Sequence, residues 1–469
     1  MRRPIAIAIV LLWLLMLGLL LRGNRTGVMR QPALNAGAES PVRDDWMSVY
    51  HQEQKIGYTH YNLSTGQEGF VFAEESLLRM TVLQTAQTVR TRMHGHIAPD
   101  FTLRDVQFDL SSGAGTLSAT GVVDGSTLRL TLHTGQDVSE QTLPLDGPVY
   151  LPSASRSLIT RDALRPGHRL EVPIFDPVSF TNERMSVTVE RQEALPNGDG
   201  RQAWRVREEF RGVATTTWTD GAGTVLREEG PMGFVLVRAT ADEALNADWT
   251  NATVLDLVAS AAVPVARPIE NARSRTSLRV RIHGIPAEQV PSDDEQTRRG
   301  TELTITRPPL SDLQSYRLPY AERAHAAELH ATAFVQSDHP RIQAAAQAAT
   351  GSEDDALRAA MRINDWVYAR LRKVPTISIP NALQVLEMGA GDCNEHAVLF
   401  TALARSAGIP TRMIAGAVYV DGAFLYHAWC EIWLGRWVSI DPALHQFPVD
   451  ATHIKFVVGG PDVADQRAR

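Results

Sequence analysis

Residues 389–410 read GAGDCNEHAVLFTALARSAGIP, and this stretch decides the fold of the C-terminal part of the chain. From Ala397 onward the apolar positions Ala397, Phe400 and Ala404, with Leu399 and Leu403, recur at helical spacing. Gly408 and Pro410 stop that helix in the usual way. Gly389 and Gly391 allow the chain to turn sharply into it, so Cys393 stands at or near the helix N-terminus. The positive end of the helix dipole favours a thiolate, and the Cys393 thiol is expected below its usual value of about 8.5. A structural cysteine would sit deeper inside the helix.

His427 stands thirty-four residues after Cys393, in FLYHAWCEIW (424–433), which reads as a strand. After a tight loop, WVSIDP (437–442) reads as its antiparallel partner. Two registers are open. A two-residue loop at Gly435-Arg436 pairs Asp441 with Cys430, on the face opposite His427. A three-residue loop, Leu434-Gly435-Arg436, pairs Trp433 with Trp437 and makes Asp441 a diagonal neighbour of His427 on one face. A thiol, an imidazole and a carboxylate that orients it are what thiol acyl-transfer chemistry needs. The candidate catalytic residues are therefore Cys393, His427 and Asp441.

Zinc is the nearest rival, because Cys393 and His396, and His427 and Cys430, are each three residues apart. Residues three apart on a strand point to opposite faces, so His427 and Cys430 do not grip one ion easily. Cys430 reads instead as a small buried apolar residue. His396 is open to a role lining the site or to a capping one. No metal or cofactor is called for.

The blocks GDCNEHAVLFTALARSAGIPTRMIAG, YHAWCEIW, GRWVSIDP and DATHIKF together resemble the transglutaminase-like superfamily of papain-related folds, over about residues 330–460. The resemblance implies an α+β core with the nucleophile helix packed on an antiparallel sheet. It implies Cys393 as nucleophile, His427 as general base and then acid, and Asp441 as the residue that orients His427. The layout is similar to that of bacterial membrane-anchored members with a β-rich N-terminal region. No acidic cluster matches the calcium sites of the animal enzymes.

The remaining sequence frames this core. With 469 residues the chain has room for two to four domains. Its 44% hydrophobic and 21% charged residues exclude wholesale disorder. Two cysteines exclude a disulfide scaffold and a four-thiolate metal site. The net charge of −7, with no basic block longer than three residues, argues against a nucleic-acid partner. Residues Ile5–Leu21 are an unbroken apolar run after Arg2 and Arg3, and as a helix they reach about 26 Å. Residues 1–30 are read as a single-pass anchor, since the best cleavage site, Ala36-Gly37-Ala38, lies too far beyond Leu21 for a signal peptide. Residues 31–44 read as a flexible linker.

Residues 45–250 alternate at period two in runs such as Leu128–Thr134 and Met185–Glu190. Asp124-Gly125 and Asp220-Gly221 sit between such runs, and an antiparallel sheet or open barrel is expected. Residues 251–320 are read as a small β subdomain around Ser277–His283 and Glu302–Thr306. Helices are expected over Ala326–Ala349 and from Ser352, as a helix start, to Arg372. Residues 325–460 form the catalytic domain and 461–469 a tail.

The expected function is a membrane-anchored cysteine hydrolase or acyltransferase. It would act on a protein or peptide substrate through a thioester, with its catalytic domain on the periplasmic side of a bacterial inner membrane. The flanking charges are nearly balanced, so this orientation rests on the resemblance. With only Lys55, Lys373 and Lys455 in the chain, it is a poor acceptor for its own activity. The alternative expectation is an envelope scaffold or binding protein with an idle triad.

Overall fold

A computed structural model describes residues 42–459, apart from 83–84, 114, 135–136, 155–163, 178–179, 197, 199, 231–232, 247–255 and 284–289. The apolar run 5–21, the linker up to residue 41 and the tail at 461–469 lie outside the described residues, and the linker read to residue 44 ends earlier, because Arg43 and Asp44 already belong to the first strand. Among the described residues no helix is long and apolar enough to cross a membrane. The chain divides into two compact units, which meet between Asp256 and Leu257.

The first unit is one antiparallel sheet of fourteen strands, from Arg43–His51 to Phe234–Ala239. Nearly every strand pairs with its sequence neighbours, as short turns require. Asp220 builds one such turn, its carboxylate accepting the N–H groups of Ala222 and Thr224 at 2.9 and 2.8 Å. The exceptions are the eighth and ninth strands, which do not pair with each other, and the first strand, which pairs with the second (Trp46 opposite His60) and also with the last (Trp46 opposite Ala239). The termini of the unit are thereby brought to the middle of the sheet, and its edges are Asp137–Pro144 and Arg169–Asp176. Burial alternates along the outer strands, as period-two patterning predicts for one wet face. Along Asp45–Val49 both faces are covered. A short helix, Ala241–Leu245, is capped by Thr240 and Glu243, and its Ala244 packs against Trp46 and Tyr58 on one of those faces.

The second unit carries the reactive residues. Its strands are β1 (Ser277–Arg281), β2 (Gln296–Arg299) and β3 (Glu302–Thr306), which form a small sheet in the order β1-β3-β2. Four helices follow: α1 (Pro340–Thr350), α2 (Ala356–Arg370), α3 (Ala382–Met388) and α4 (Cys393–Ser406). Then come β4 (Thr411–Val420), β5 (Ala423–Trp433), β6 (Trp437–Ile440) and β7 (His453–Val458). Strand β4 lies between β5 and β7, and β6 pairs with β5.

Two helix starts differ from the sequence reading. The alanine-rich segment begins its helix at Pro340, not Ala326, because proline fits the first helical position and the His339 side chain accepts the Arg341 N–H. Residues 323–329 form only 3₁₀ turns. The next helix is capped by Asp355, not Ser352, with its carboxylate 3.0 Å from the Arg358 nitrogen.

Helix α4 is apolar almost all round and is buried from Glu395 to Arg405. It is the central rod of the unit, packed on β4, β5 and the other three helices. The small sheet shares a core with the end of the larger one, where Leu303 and Ile305 meet Tyr419, Phe424 and Ile454. A buried charge cluster ties the two sheets together. Lys455 of β7 donates to Asp293 at 2.9 Å, to Glu295 at 3.0 Å and to Glu431 of β5. Burial alone would pull the Lys455 ammonium down, but Glu295, Glu431 and Asp293 outweigh it and hold the proton firmly. Strand β2 contributes Gln296, which brackets the Lys455 backbone by donating to its C=O and accepting from its N–H.

Candidate active site

Cys393 is the first residue of α4. Asp392 is the N-cap, accepting the Asn394 N–H at 3.0 Å, and Glu395 reaches back to the Asp392 N–H at 2.8 Å. Gly391 makes this closure possible, since a Cβ there would lie 2.3 Å from the Glu395 Cβ. The nucleophile's position is therefore fixed by a capping box that runs from the residue before it, Asp392, to Glu395 two residues after it.

The thiol does not behave as the helix dipole alone predicts. Burial pushes it well above its usual range, and the nearby Asp392 carboxyl pushes it further, against one Ala428 N–H that favours the thiolate. Asp392 is itself raised by burial and by Glu395. The expected depression is thus overturned by desolvation and by two carboxyl groups that the sequence placed beside the thiol for capping.

The hairpin settles in the three-residue register. Trp433 pairs with Trp437 and Cys430 with Ile440, so the next residue, Asp441, falls beside Trp429. His427 Nε2 lies 2.7 Å from Asp441 Oδ2. Asp441 is fully buried and accepts two further hydrogen bonds on Oδ1, from Ala443 N–H at 2.8 Å and Leu444 N–H at 2.9 Å. Burial alone would raise this carboxyl, but His427 and His453 outweigh it and keep it ionised. An acceptor on Nε2 fixes the proton there and leaves Nδ1 of His427 as the basic nitrogen.

Tyr426 and Asn394, the residues next to His427 and Cys393, tie the strand to the helix start, with the tyrosine hydroxyl 2.8 Å from Asn394 Oδ1. Trp429 lies near both histidine rings, at 6.1 Å from His427 and 5.2 Å from His453. Gly416 of β4 admits that indole, since a Cβ there would meet Trp429 at 2.6 Å and the Ile454 carbonyl at 2.0 Å.

The residues set aside in the sequence fall elsewhere. Cys430 is fully buried in the core, its sulfur 3.3 Å from the Ala397 carbonyl and 3.4 Å from the Thr401 hydroxyl. His396 is buried and turns Nδ1 back onto the Asp392 carbonyl at 2.6 Å, one helical turn earlier.

One further residue belongs to the site. His453 of β7 places Nε2 3.1 Å from Asp441 Oδ2, the same oxygen that meets His427. The sequence signal was present in the block DATHIKF, but nothing in it linked His453 to Asp441, which lies across the sheet. Among the described residues, His427, Asp441 and His453 are the one trio with ligand atoms within metal-binding reach of one another. Both histidine nitrogens already point at a single carboxylate oxygen at hydrogen-bond length, so here they act as donors and not as ligands.

Residues 343–442 match the model of the transglutaminase-like superfamily, a span that takes in all of Cys393, His427 and Asp441. These residues form a transglutaminase-like domain. Several solved structures are similar to the chain. A protein from Cytophaga hutchinsonii described as a candidate cysteine protease is 18% identical, with 44% of this chain and 76% of that one covered at a TM-score of 0.28. A β-barrel-like protein from Brucella abortus, of a domain family of unknown function, is 11% identical over 42% of this chain and 95% of its own, with a TM-score of 0.33. A candidate protease from Parabacteroides distasonis is 11% identical over 79% and 63% of the two chains, with a TM-score of 0.20. Similarities of this size carry no argument about substrate or mechanism. No curated protein matches the chain significantly.

Proposed function

We propose that the transglutaminase-like domain is a cysteine hydrolase or acyltransferase that works through a thioester. The observation that carries this reading is the His427–Asp441 contact of 2.7 Å, on a strand tied to the start of the Cys393 helix. The reaction follows from the groups present. His427 Nδ1 takes the thiol proton as the Cys393 sulfur attacks a carboxamide or peptide carbonyl. Collapse of the tetrahedral adduct breaks the C–N bond, and the imidazolium gives its proton to the leaving ammonia or amine. Water or an amine then attacks the thioester, with His427 as base again. The Cys393 N–H, in the first helical turn, has no intrahelical acceptor and suits the developing oxyanion.

A thiol pushed up by burial is protonated at rest, so its reactivity depends on His427. We expect the His427→Ala variant to slow alkylation of Cys393 by iodoacetamide at pH 7 by at least about tenfold. Equal rates in the two proteins would favour an idle triad in a scaffold protein instead. The measurement is the pseudo-first-order rate, with the site identified by mass spectrometry.

The apolar run Ile5–Leu21 supports placing this enzyme on a membrane, and the resemblance to anchored bacterial members supports a periplasmic catalytic domain. The full-length chain is expected to sediment with membranes and a chain beginning at Arg43 to stay in the supernatant. A mature protein that begins at Glu39 would end the anchor reading. Alkaline phosphatase fused after Arg469 is expected to be active, and a well-expressed inactive fusion would place the domain in the cytoplasm.

A further inference from the structure

His453 lies outside the stretch that matches the transglutaminase-like model, which ends at residue 442. It is 1% exposed and stands between two carboxylates. Nε2 faces Asp441 Oδ2 at 3.1 Å. Nδ1 faces the Asp450 carbonyl oxygen at 3.2 Å and the Asp450 carboxylate at 3.5 Å. Each of these three atoms only accepts hydrogen bonds. A neutral imidazole would turn a lone pair toward one of them, so both ring nitrogens must carry protons.

Asp450 is itself held as an anion. Arg273 donates to it at 2.8 Å, the Thr452 N–H at 2.7 Å, and the Thr452 hydroxyl also donates. The charges therefore alternate from Arg273 through Asp450 and His453 to Asp441. Two residues along β7, Lys455 meets Asp293, Glu295 and Glu431, and Arg412 also pairs with Glu431.

We propose that His453 is a positioning residue for the catalytic pair: a buried imidazolium with a fixed charge that pins Asp441 through the same oxygen that meets His427. The assignment rests on the thioester reading above. Sharing Oδ2 between two donors fixes the carboxylate's rotation, because Oδ1 is already held by Ala443 and Leu444. It also places a permanent cation behind the dyad, which lowers the proton affinity of every group near it, Cys393 included. Burial alone would discharge this ring, yet Asp441 and Asp450 together raise it to about 9. The charge is thus kept across the neutral range.

Two measurements on the full-length chain test this. The first is the ring ¹⁵N spectrum of histidine-labelled protein at pH 8. One histidine with two ring protons is expected, with its signal missing in His453→Gln. The absence of any such ring in the unsubstituted protein overturns the proposal without a variant.

The second is the pH dependence of Cys393 alkylation by iodoacetamide in the parent chain, His453→Gln and His453→Leu, with circular dichroism as the check on folding. Both variants lose the cation, so the pH of half-maximal rate is expected to move up by at least about half a unit. Glutamine still donates to Asp441 and should recover a larger share of the plateau rate than leucine does. A residue that only packs would lower the plateau and leave the midpoint in place, and an unmoved midpoint in both variants rejects the assignment. The thioester reading fails separately, if His427→Ala and the parent chain alkylate at equal rates.

Discussion

Cys393→Ala is expected to abolish turnover while leaving the fold and its melting temperature nearly unchanged. Losing the nucleophile of a comparable triad costs about 10⁶ in kcat. The stability effect is small because Cys393 is half-buried at the rim of the core, and alanine keeps its Cβ. The cap that sets the helix start also survives, since Asp392 and Glu395 make it without the sulfur. The opposite pattern is expected of Cys430→Ala. That sulfur sits in a fully packed interior between Ala397 and Thr401, so its loss costs stability, about 1–2 kcal/mol, with most of the rate retained. Both are measured as kcat/KM for ammonia release or cleavage on one glutamine-containing peptide, with thermal unfolding alongside. An inactive Cys430→Ala beside a fully active Cys393→Ala would reverse the roles of the two cysteines.

What could be read from the sequence depended on how local its cause was. The Cys393 helix start was legible because Gly391, Asp392 and Glu395 are neighbours in the chain. The His427–Asp441 contact needed only one hairpin, and the loop length carried its register. The thiol's direction was not legible, because desolvation and the Asp392–Glu395 charges act through the folded surroundings and override a local dipole. Strand β2 was missed because Gln-Thr-Arg-Arg has no apolar alternation. Its buried residue is Gln296, which is satisfied by the Lys455 backbone far along the chain. The order of the fourteen-stranded sheet was hidden for a similar reason. No turn signal reveals that the first strand pairs with the last. His453 is the clearest case, a residue whose partners, Asp441 and Asp450, are joined to it by the sheet and by a three-residue turn.

Asp441→Asn should lower kcat/KM by about 10⁴, the loss that accompanies a wrong imidazole tautomer in a serine triad. Asp441 receives four hydrogen bonds and donates none. An asparagine has one oxygen for those four donors and adds an NH₂ of its own. If the oxygen takes the Oδ2 place, the Ala443 and Leu444 N–H groups face an NH₂ and lose their acceptor, at about 1–3 kcal/mol each. If the NH₂ takes that place, His427 must put its proton on Nδ1 and can no longer accept one from the thiol. His453, protonated on both nitrogens, opposes this second arrangement, so part of the cost should appear as lowered stability. The pH dependence separates the two effects. Asp441 has a folded value far below its unfolded one of about 4, so its contribution is complete above that pH and is lost as the pH falls below it. The gap in unfolding free energy between the parent chain and Asp441→Asn should therefore be constant from about pH 5 to 7 and close in acid. A gap that stays constant down to about pH 2 would mean that Asp441 is not held as a carboxylate between His427 and His453, and the tautomer argument would fall with it.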